Sequence, residues 1–208
     1  MSDNIVDLFQ RCAEFTAPRQ ARQEGWYPYF RPIEKTHGTR VTIEGRELIM
    51  AGSNNYLGLA YDQRLREAAK RAVDAHGTSC SGSRFMNGTL NLHEELEDRL
   101  AEFAGTESAV VFTTGYQSNL GAISALLDRD THIISDKLNH ASIMDGIFLA
   151  GGMNKHVELH RYKHNNMDDL KRILSRIPDD HPRLIVTDGV FSMEGDVVRL
   201  PELMNVAR

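Results

Sequence analysis

The sequence predicts an α/β fold with a mostly parallel sheet and helices on both of its faces. From about residue 61 to residue 208, short apolar runs alternate with segments whose apolar residues recur at helical spacing. The chain has 208 residues, of which 41% are hydrophobic and 25% charged, so it can build one sizeable core. Residues 1–60 lack the alternation and are therefore predicted to form an N-terminal arm ahead of a domain at 61–208.

The arm is predicted to contain a helix over residues 3–24, an aromatic stretch over 26–30 and a hairpin-like segment over 41–46. In the domain, helices are predicted at about residues 65–76, 90–103, 120–127, 141–150 and 167–177. The predicted strands span residues 109–112, 132–135, 156–160 and 184–187. A last helix opens at Leu200 and has no cap before Arg208, so the chain is expected to continue beyond this point.

Composition and charge exclude several classes of function. The net charge is −5, from 24 basic and 29 acidic residues, which gives no electrostatic footprint for nucleic acid. No window approaches the ~18 apolar residues of a membrane span, and the acidic amino terminus does not resemble a signal peptide. We therefore predict a cytoplasmic protein with a small-molecule partner. Cys12 and Cys80 lie far apart without CxxC spacing, which argues against a disulfide framework and a cysteine-rich zinc site.

Three histidines, His156, His160 and His164, are spaced by four residues, and on a helix they could hold a metal ion. The residues between the first two alternate as in a strand, and a turn is predicted after the third. We therefore predict no metal site here and expect these histidines to be solvated.

Polar residues follow three of the predicted strands. Gly115 opens a helix after strand 109–112, where free N–H groups and the helix dipole favour a phosphate. His140 follows strand 132–135 and could face a planar ligand, whereas Ser192 lies in the polar loop after strand 184–187. Ligands collect at the carboxyl ends of strands in open α/β sheets, so the three loops together predict a cofactor site.

Several longer motifs, in order, resemble one known family. The segments are SNNYLGL at 53–59, GSRFMNGT at 82–89, GYQSN at 115–119, SDKLNHAS at 135–142 and DGVFSMEGD at 188–196. They resemble the α-oxoamine synthases, pyridoxal 5'-phosphate (PLP) enzymes of fold type I. That resemblance implies the condensation of an amino acid with an acyl-CoA, with loss of carbon dioxide.

The resemblance also implies roles for individual residues. The backbone of Gly115 and Tyr116 should bind the cofactor phosphate, His140 should stack on the pyridine ring, and Ser192 should bond the ring hydroxyl. The resemblance further places three residues near the substrates: Asn54, Ser135 and, on the acyl-CoA side at a dimer interface, Arg84.

Within the family, the segment 82–89 is most similar to the serine palmitoyltransferase branch. This similarity implies L-serine and a long-chain acyl-CoA as substrates, and a homodimer with its active site at the interface. It leaves open a peripheral contact with membranes. The aminooxononanoate synthase and glycine C-acetyltransferase branches remain alternatives.

The resemblance places the Schiff-base lysine and the aspartate that pairs with the pyridine nitrogen beyond Arg208. Lys137 and Asp188 are not assigned to these roles, so the 208 residues alone are expected to be inactive. A non-catalytic partner subunit of such an enzyme remains a second hypothesis.

Overall fold

The computed structural model describes residues 8–153 and 156–208. The chain divides into two compact units, residues 1–88 and residues 89–208. This division falls later than the predicted boundary at residue 60, because the third helix of the chain, 63–76, belongs to the first unit. None of the described helices combines the length and apolarity needed to cross a bilayer.

The first unit begins with two short helices, α1 (Leu8–Glu14) and α2 (Ala17–Gln23). The prediction of one helix over residues 3–24 is therefore wrong in its described part, and residues 3–7 of it lie outside the described residues. Pro18 explains the break, since its ring would clash with the carbonyl of Glu14 in a continuous helix. Instead it occupies the first turn of α2, where a missing N–H costs nothing.

The predicted hairpin is confirmed. Strands β1 (Lys35–His37), β2 (Arg40–Ile43) and β3 (Arg46–Ile49) form an antiparallel sheet. Glu44 and Gly45 both have positive φ, 51° and 72°, as the two central residues of a type I′ turn require. A 3₁₀ turn (Leu59–Tyr61) leads into α3 (Gln63–His76), which Asp62 caps through a bond from the Arg64 N–H.

The second unit alternates helices and strands. Its helices are α4 (Asn91–Ala104), α5 (Gly115–Leu126), α6 (Ala141–Met153), α7 (Met167–Leu174) and α8 (Leu200–Ala207). Its strands are β4 (His132–Asp136), β5 (Glu158–Tyr162), β6 (Arg183–Val186), β7 (Val190–Phe191) and β8 (Asp196–Val197). Every predicted domain helix has a counterpart, and so do three of the four predicted strands.

The parallel sheet has the order β5-β4-β6, with β4 buried along its whole length. Neighbouring residues of a strand point to opposite faces, and Ile133 and Ile134 pack accordingly into different cores. Ile133 joins α5 and α6, and Ile134 joins α7 and α8. The predicted parallel sheet with helices on both faces is therefore confirmed.

Helices α5 and α6 approach closely at Gly146. A Cβ atom at Gly146 would lie 3.1 Å from both the Asn119 carbonyl oxygen and the Ile123 Cβ. Since glycine has no side chain, the middle of α6 can lie directly against α5 at Asn119 and Ile123.

The prediction of a strand at 109–112 is wrong. Within the described residues the segment joins no ladder, and the Val111 N–H donates to the Glu97 carboxylate at 2.8 Å. A strand exists only where a second strand pairs with it, and apolar sequence alone does not supply that partner.

Candidate functional site

A cavity of 390 Å³ lies at the carboxyl ends of β4 and β6 in the second unit. It brings together His140, from the loop after β4, and Ser192, from the hairpin after β6. The structure therefore places these two predicted site residues on one cavity. The remaining lining residues are Asn119, Leu138, Asn139, Ala141, Asp188, Val190, Phe191, Met193 and Glu194.

The backbone of His140 is held by Asp188. The His140 N–H donates to Asp188 Oδ2 at 2.6 Å, and the Asp188 N–H donates to Asn139 Oδ1 at 2.9 Å. The Asn139 amide group in turn donates to the Val186 carbonyl at 2.8 Å. These bonds join the loop before α6 to the end of β6, so both sides of the cavity are fixed to the sheet.

The His140 ring is fixed through its Nδ1 atom. The Ser142 N–H lies 3.2 Å from Nδ1, and because an N–H can only donate, Nδ1 is the acceptor. The Ser142 hydroxyl also lies 2.7 Å from Nδ1 and accepts from the Asn119 amide at 2.9 Å. Ser142 therefore holds the ring through Nδ1, and Nε2 is the ring nitrogen on the opposite side of an exposed imidazole.

Ser135 does not line the cavity. Its side chain is fully buried, and its hydroxyl accepts from the Asn139 amide at 2.9 Å and lies 3.2 Å from the Asp136 carbonyl. The expected proximity of Ser135 to a substrate stays a prediction. Ser135 orients Asn139, which holds Asp188.

The amino end of α5 carries the predicted phosphate-binding residues. Thr114 caps the helix by accepting from the Gln117 N–H at 3.1 Å. The N–H groups of Gly115 and Tyr116 come first in the helix, where no intrahelical acceptor exists, so they can bind an anion. Asn119, one turn later, lines the cavity.

Tyr116 also ties this helix to α6. Its hydroxyl donates to the Asp145 carboxylate. This hydrogen bond raises the pKa of Tyr116 above its ordinary value because it favours the neutral phenol.

The hairpin that carries Ser192 is anchored by His164. His164 Nδ1 lies 3.0 Å from the fully buried Asp136 carboxylate, and Nε2 lies 2.9 Å from Asp196 in β8. Burial opposes the charged form of His164, but hydrogen bonds and attraction from the two carboxylates outweigh it and raise the pKa above its ordinary value. His164 therefore bridges β4 and the β7–β8 hairpin.

The predicted solvation of the histidines is wrong for two of them. The His160 side chain is 29% exposed and that of His164 21% exposed, and both ring systems are hydrogen-bonded. His160 lies within β5 rather than on a helix, as the alternating sequence predicts.

Two predicted substrate residues lie in the first unit. Asn54 is exposed and Arg84 is half-buried. Their proximity to substrates stays a prediction.

The residues that orient His140 were not assigned from the sequence. Asn119, Asn139, Ser142 and Asp188 lie within the recognised motifs, and the position of Asp188 after β6 was the available signal. Their pairing spans up to 49 residues of sequence, which only the folded chain brings together.

This fold and cavity define an α/β domain with a cavity at the carboxyl edge of a parallel sheet, which is where open α/β folds bind their ligands. The chain belongs to the aminotransferase class I and II family, whose model matches residues 46–208.

Similar curated proteins include a serine palmitoyltransferase of Sphingobacterium spiritivorum. It is 48% identical over 200 residues, which are 96% of this chain and 49% of that protein. An 8-amino-7-oxononanoate synthase of Geobacter sulfurreducens is 46% identical over 190 residues, 91% of this chain and 47% of that protein. The chain thus spans about half the length of the curated relatives it matches.

Solved structures of serine palmitoyltransferases share the fold. That of Sphingomonas wittichii superposes with a TM-score of 0.89 at 39% identity, over 97% of this chain and 50% of that chain. One from S. paucimobilis with a bound PLP–myriocin aldimine gives a TM-score of 0.90 at 36% identity, over 97% and 50% of the two chains.

Proposed function

We propose that the chain forms part of a PLP-dependent enzyme that condenses L-serine with a long-chain acyl-CoA and releases carbon dioxide. The observation that carries the proposal is His140, an imidazole on the cavity whose Nδ1 is held by Ser142 and whose Nε2 lies on the opposite side of the ring. The names of the similar serine palmitoyltransferases support the same reaction.

The residues present fit PLP. A phosphate group needs several N–H donors, which the first turn of α5 supplies at Gly115 and Tyr116. A flat ring with a hydroxyl needs an aromatic partner and a hydrogen-bonding group, and His140 and Ser192 share a cavity of 390 Å³, an ordinary size for a ligand site. When bound, the cofactor supplies an electron sink for negative charge at the amino-acid Cα.

His140 then has two tasks. Its ring keeps the cofactor ring flat, and its Nε2–H donates to the carboxylate of the amino acid. Asp188 and Ser142 restrict the ring to one position before the ligand arrives, which reduces the entropy lost on binding. The apolar residues Leu138 and Phe191 line the same cavity, and around a bound ligand they would shield these bonds from water and strengthen them.

The proposed preference for a long-chain acyl-CoA rests on the charged side chains near the segment expected to bind the acyl-CoA. Arg84 is followed by Phe85 and Met86, a cation beside apolar side chains that suits a CoA with an apolar tail. A short dicarboxylic acyl group would need a further cation, because an unpaired buried carboxylate costs several kcal/mol. The arginines of the arm already have partners: Arg31 binds Glu44, and Arg22 lies over the Tyr27 ring.

Two alternatives differ in class or branch. One alternative is a decarboxylative condensation with a different amino acid and acyl-CoA, as the similarity to 8-amino-7-oxononanoate synthases would suggest. A reaction of the glycine C-acetyltransferase type belongs to the same alternative. A non-catalytic partner subunit would keep the fold without turnover. We further propose a cytoplasmic homodimer with Arg84 at the interface.

The test uses the full-length protein with PLP. Serine, glycine and alanine are each combined with palmitoyl-CoA, succinyl-CoA and acetyl-CoA, and kcat/KM is measured. We expect the highest value for serine with palmitoyl-CoA. A preference for succinyl-CoA, or for acetyl-CoA with glycine, would move the protein to another branch. A lack of turnover with every pair would favour the partner subunit.

A further inference from the structure

The amino edge of the parallel sheet carries a cluster of three histidines and one glutamate. His132 starts β4, Glu158 and His160 lie in β5, and His181 precedes β6. His132 Nδ1 lies 2.9 Å from His160 Nε2, and His132 Nε2 lies 2.8 Å from His181 Nδ1. The cavity described above lies at the other end of β4, about 13 Å away along the five-residue strand.

The geometry points to a binding site for one divalent transition-metal ion, with His132, His160 and Glu158 as its protein ligands. The Glu158 Oε2 atom lies 3.6 Å from His132 Nδ1 and 3.8 Å from His160 Nε2. These three ligand atoms lie within 4.8 Å of one another. Around a tetrahedral Zn²⁺ with bonds of about 2.0–2.1 Å, ligand atoms are about 3.3 Å apart, so each separation requires a shift of about 0.5 Å or less.

The chemistry of these ligands selects the class of ion. Two imidazoles and one carboxylate suit Zn²⁺ and neighbouring transition metals, whereas Mg²⁺ and Ca²⁺ prefer oxygen ligands throughout. The Glu158 side chain is 65% exposed, so it can rotate towards the ion at little cost in free energy. The His132 side chain is only 7% exposed and therefore supplies a ligand atom in a fixed position. A water molecule would complete the tetrahedron.

His181 orients the central ligand. With a proton on His132 Nε2 donated to His181 Nδ1, the His132 Nδ1 lone pair is directed to the ion. His160 then moves its proton from Nε2 to Nδ1, so the ion binds without net loss of a proton from the two rings. The backbone is fixed as well, since the His132 N–H donates to the Pro182 carbonyl and the Glu158 N–H to the Thr131 carbonyl.

A bound ion would join the amino ends of β4 and β5 and, through His181, the loop before β6. It would therefore stabilise the sheet and would not form part of the cavity. Binding of the ion is therefore expected to raise the melting temperature of the protein.

The experiment titrates metal-free, PLP-loaded full-length protein with ZnCl₂ in a calorimeter and measures melting with and without the ion. We expect one ion per chain and a higher melting temperature. His160→Gln and Glu158→Gln should weaken binding by about 100-fold or more, and His181→Asn by about 10- to 100-fold. His156→Gln, an exposed histidine two residues from Glu158, is the matched control and should bind as the wild type does.

Each other result overturns the site. Absence of saturable binding, equal binding of Mg²⁺, or unchanged Zn²⁺ affinity in Glu158→Gln would each contradict it. Because Glu158 is mostly exposed, this variant is expected to fold, and an unchanged PLP absorbance and melting temperature without metal would establish that it does. A weaker His156→Gln variant would place the ion elsewhere.

Discussion

The backbone N–H of His140 donates a 2.6 Å hydrogen bond to Oδ2 of Asp188, 48 residues further along the chain. The bond connects the start of α6 to the loop after β6. It therefore fixes the imidazole relative to the hairpin that carries Ser192, and the candidate site depends on it.

Replacement of Asp188 should remove the acceptor of the His140 backbone N–H and leave the loop that carries His140 less well fixed. A hydrogen bond to a charged acceptor contributes about 1.5–3 kcal/mol, so Asp188→Ala should lower kcat/KM by about 10- to 100-fold. Asp188→Asn keeps an acceptor oxygen, so its kcat/KM should fall less than that of Asp188→Ala. Steady-state kinetics of the full-length protein and PLP titration measure both variants, and equal activity of wild type and Asp188→Ala would refute the anchoring role.

A Ser142 variant tests how much the orientation of the His140 ring matters while the ring itself is still present. Ser142→Ala removes the hydroxyl near Nδ1 but leaves the backbone N–H that also donates there. We expect a loss of about 10-fold in kcat/KM, less than for removal of the imidazole itself. A loss as large as that of His140→Ala would mean that the hydroxyl contacts the substrate directly.

The His164 bridge predicts a pH-dependent stability. Its pKa is raised in the folded protein, so the stabilisation is complete below about pH 6.5, the unfolded value, and is lost as pH rises through the folded value. The difference in melting temperature between wild type and His164→Gln should therefore shrink with rising pH. Burial lowers the pKa of His160, but that contribution is common to both proteins.

His156→Gln is the control for this comparison, since His156 is exposed. A difference between wild type and His164→Gln that stays constant or grows above neutral pH would contradict the charged bridge.

The 208 residues expressed alone should fold poorly. Phe103 in α4 is 91% exposed and Val110 is 73% exposed, so apolar surface remains in contact with water. Limited proteolysis and thermal melting should show rapid cleavage and a broad transition, in contrast to the full-length protein. A cooperative, monomeric and protease-resistant product would be the opposite result.

The sequence predicted the helices and buried strands of the second unit well because their periodicity is local. The strand at 109–112 was wrong because strand formation depends on a distant partner, which the apolar residues do not specify. The helix over residues 3–24 was wrong within the described residues because the ring of Pro18 would clash with the Glu14 carbonyl in a continuous helix. Both failures concern interactions beyond the composition of the segment.

For the site, the sequence placed His140 and Ser192 on one edge of the sheet because strand ends are predictable. It did not reveal that Ser135 is buried under Asn139, or that Asp188 holds the His140 backbone. These facts depend on the register of β4 beside β6, in which Ser135 pairs with Val186.

The central claim is that His140 serves the condensation of L-serine with a long-chain acyl-CoA. The most direct measurement is product analysis by mass spectrometry for full-length wild type and His140→Ala, each incubated with PLP, L-serine and palmitoyl-CoA. We expect the decarboxylated condensation product from the wild type and a yield lower by about 100-fold or more from a folded His140→Ala variant. Equal product from both proteins, or no condensation product from the wild type, would contradict the account.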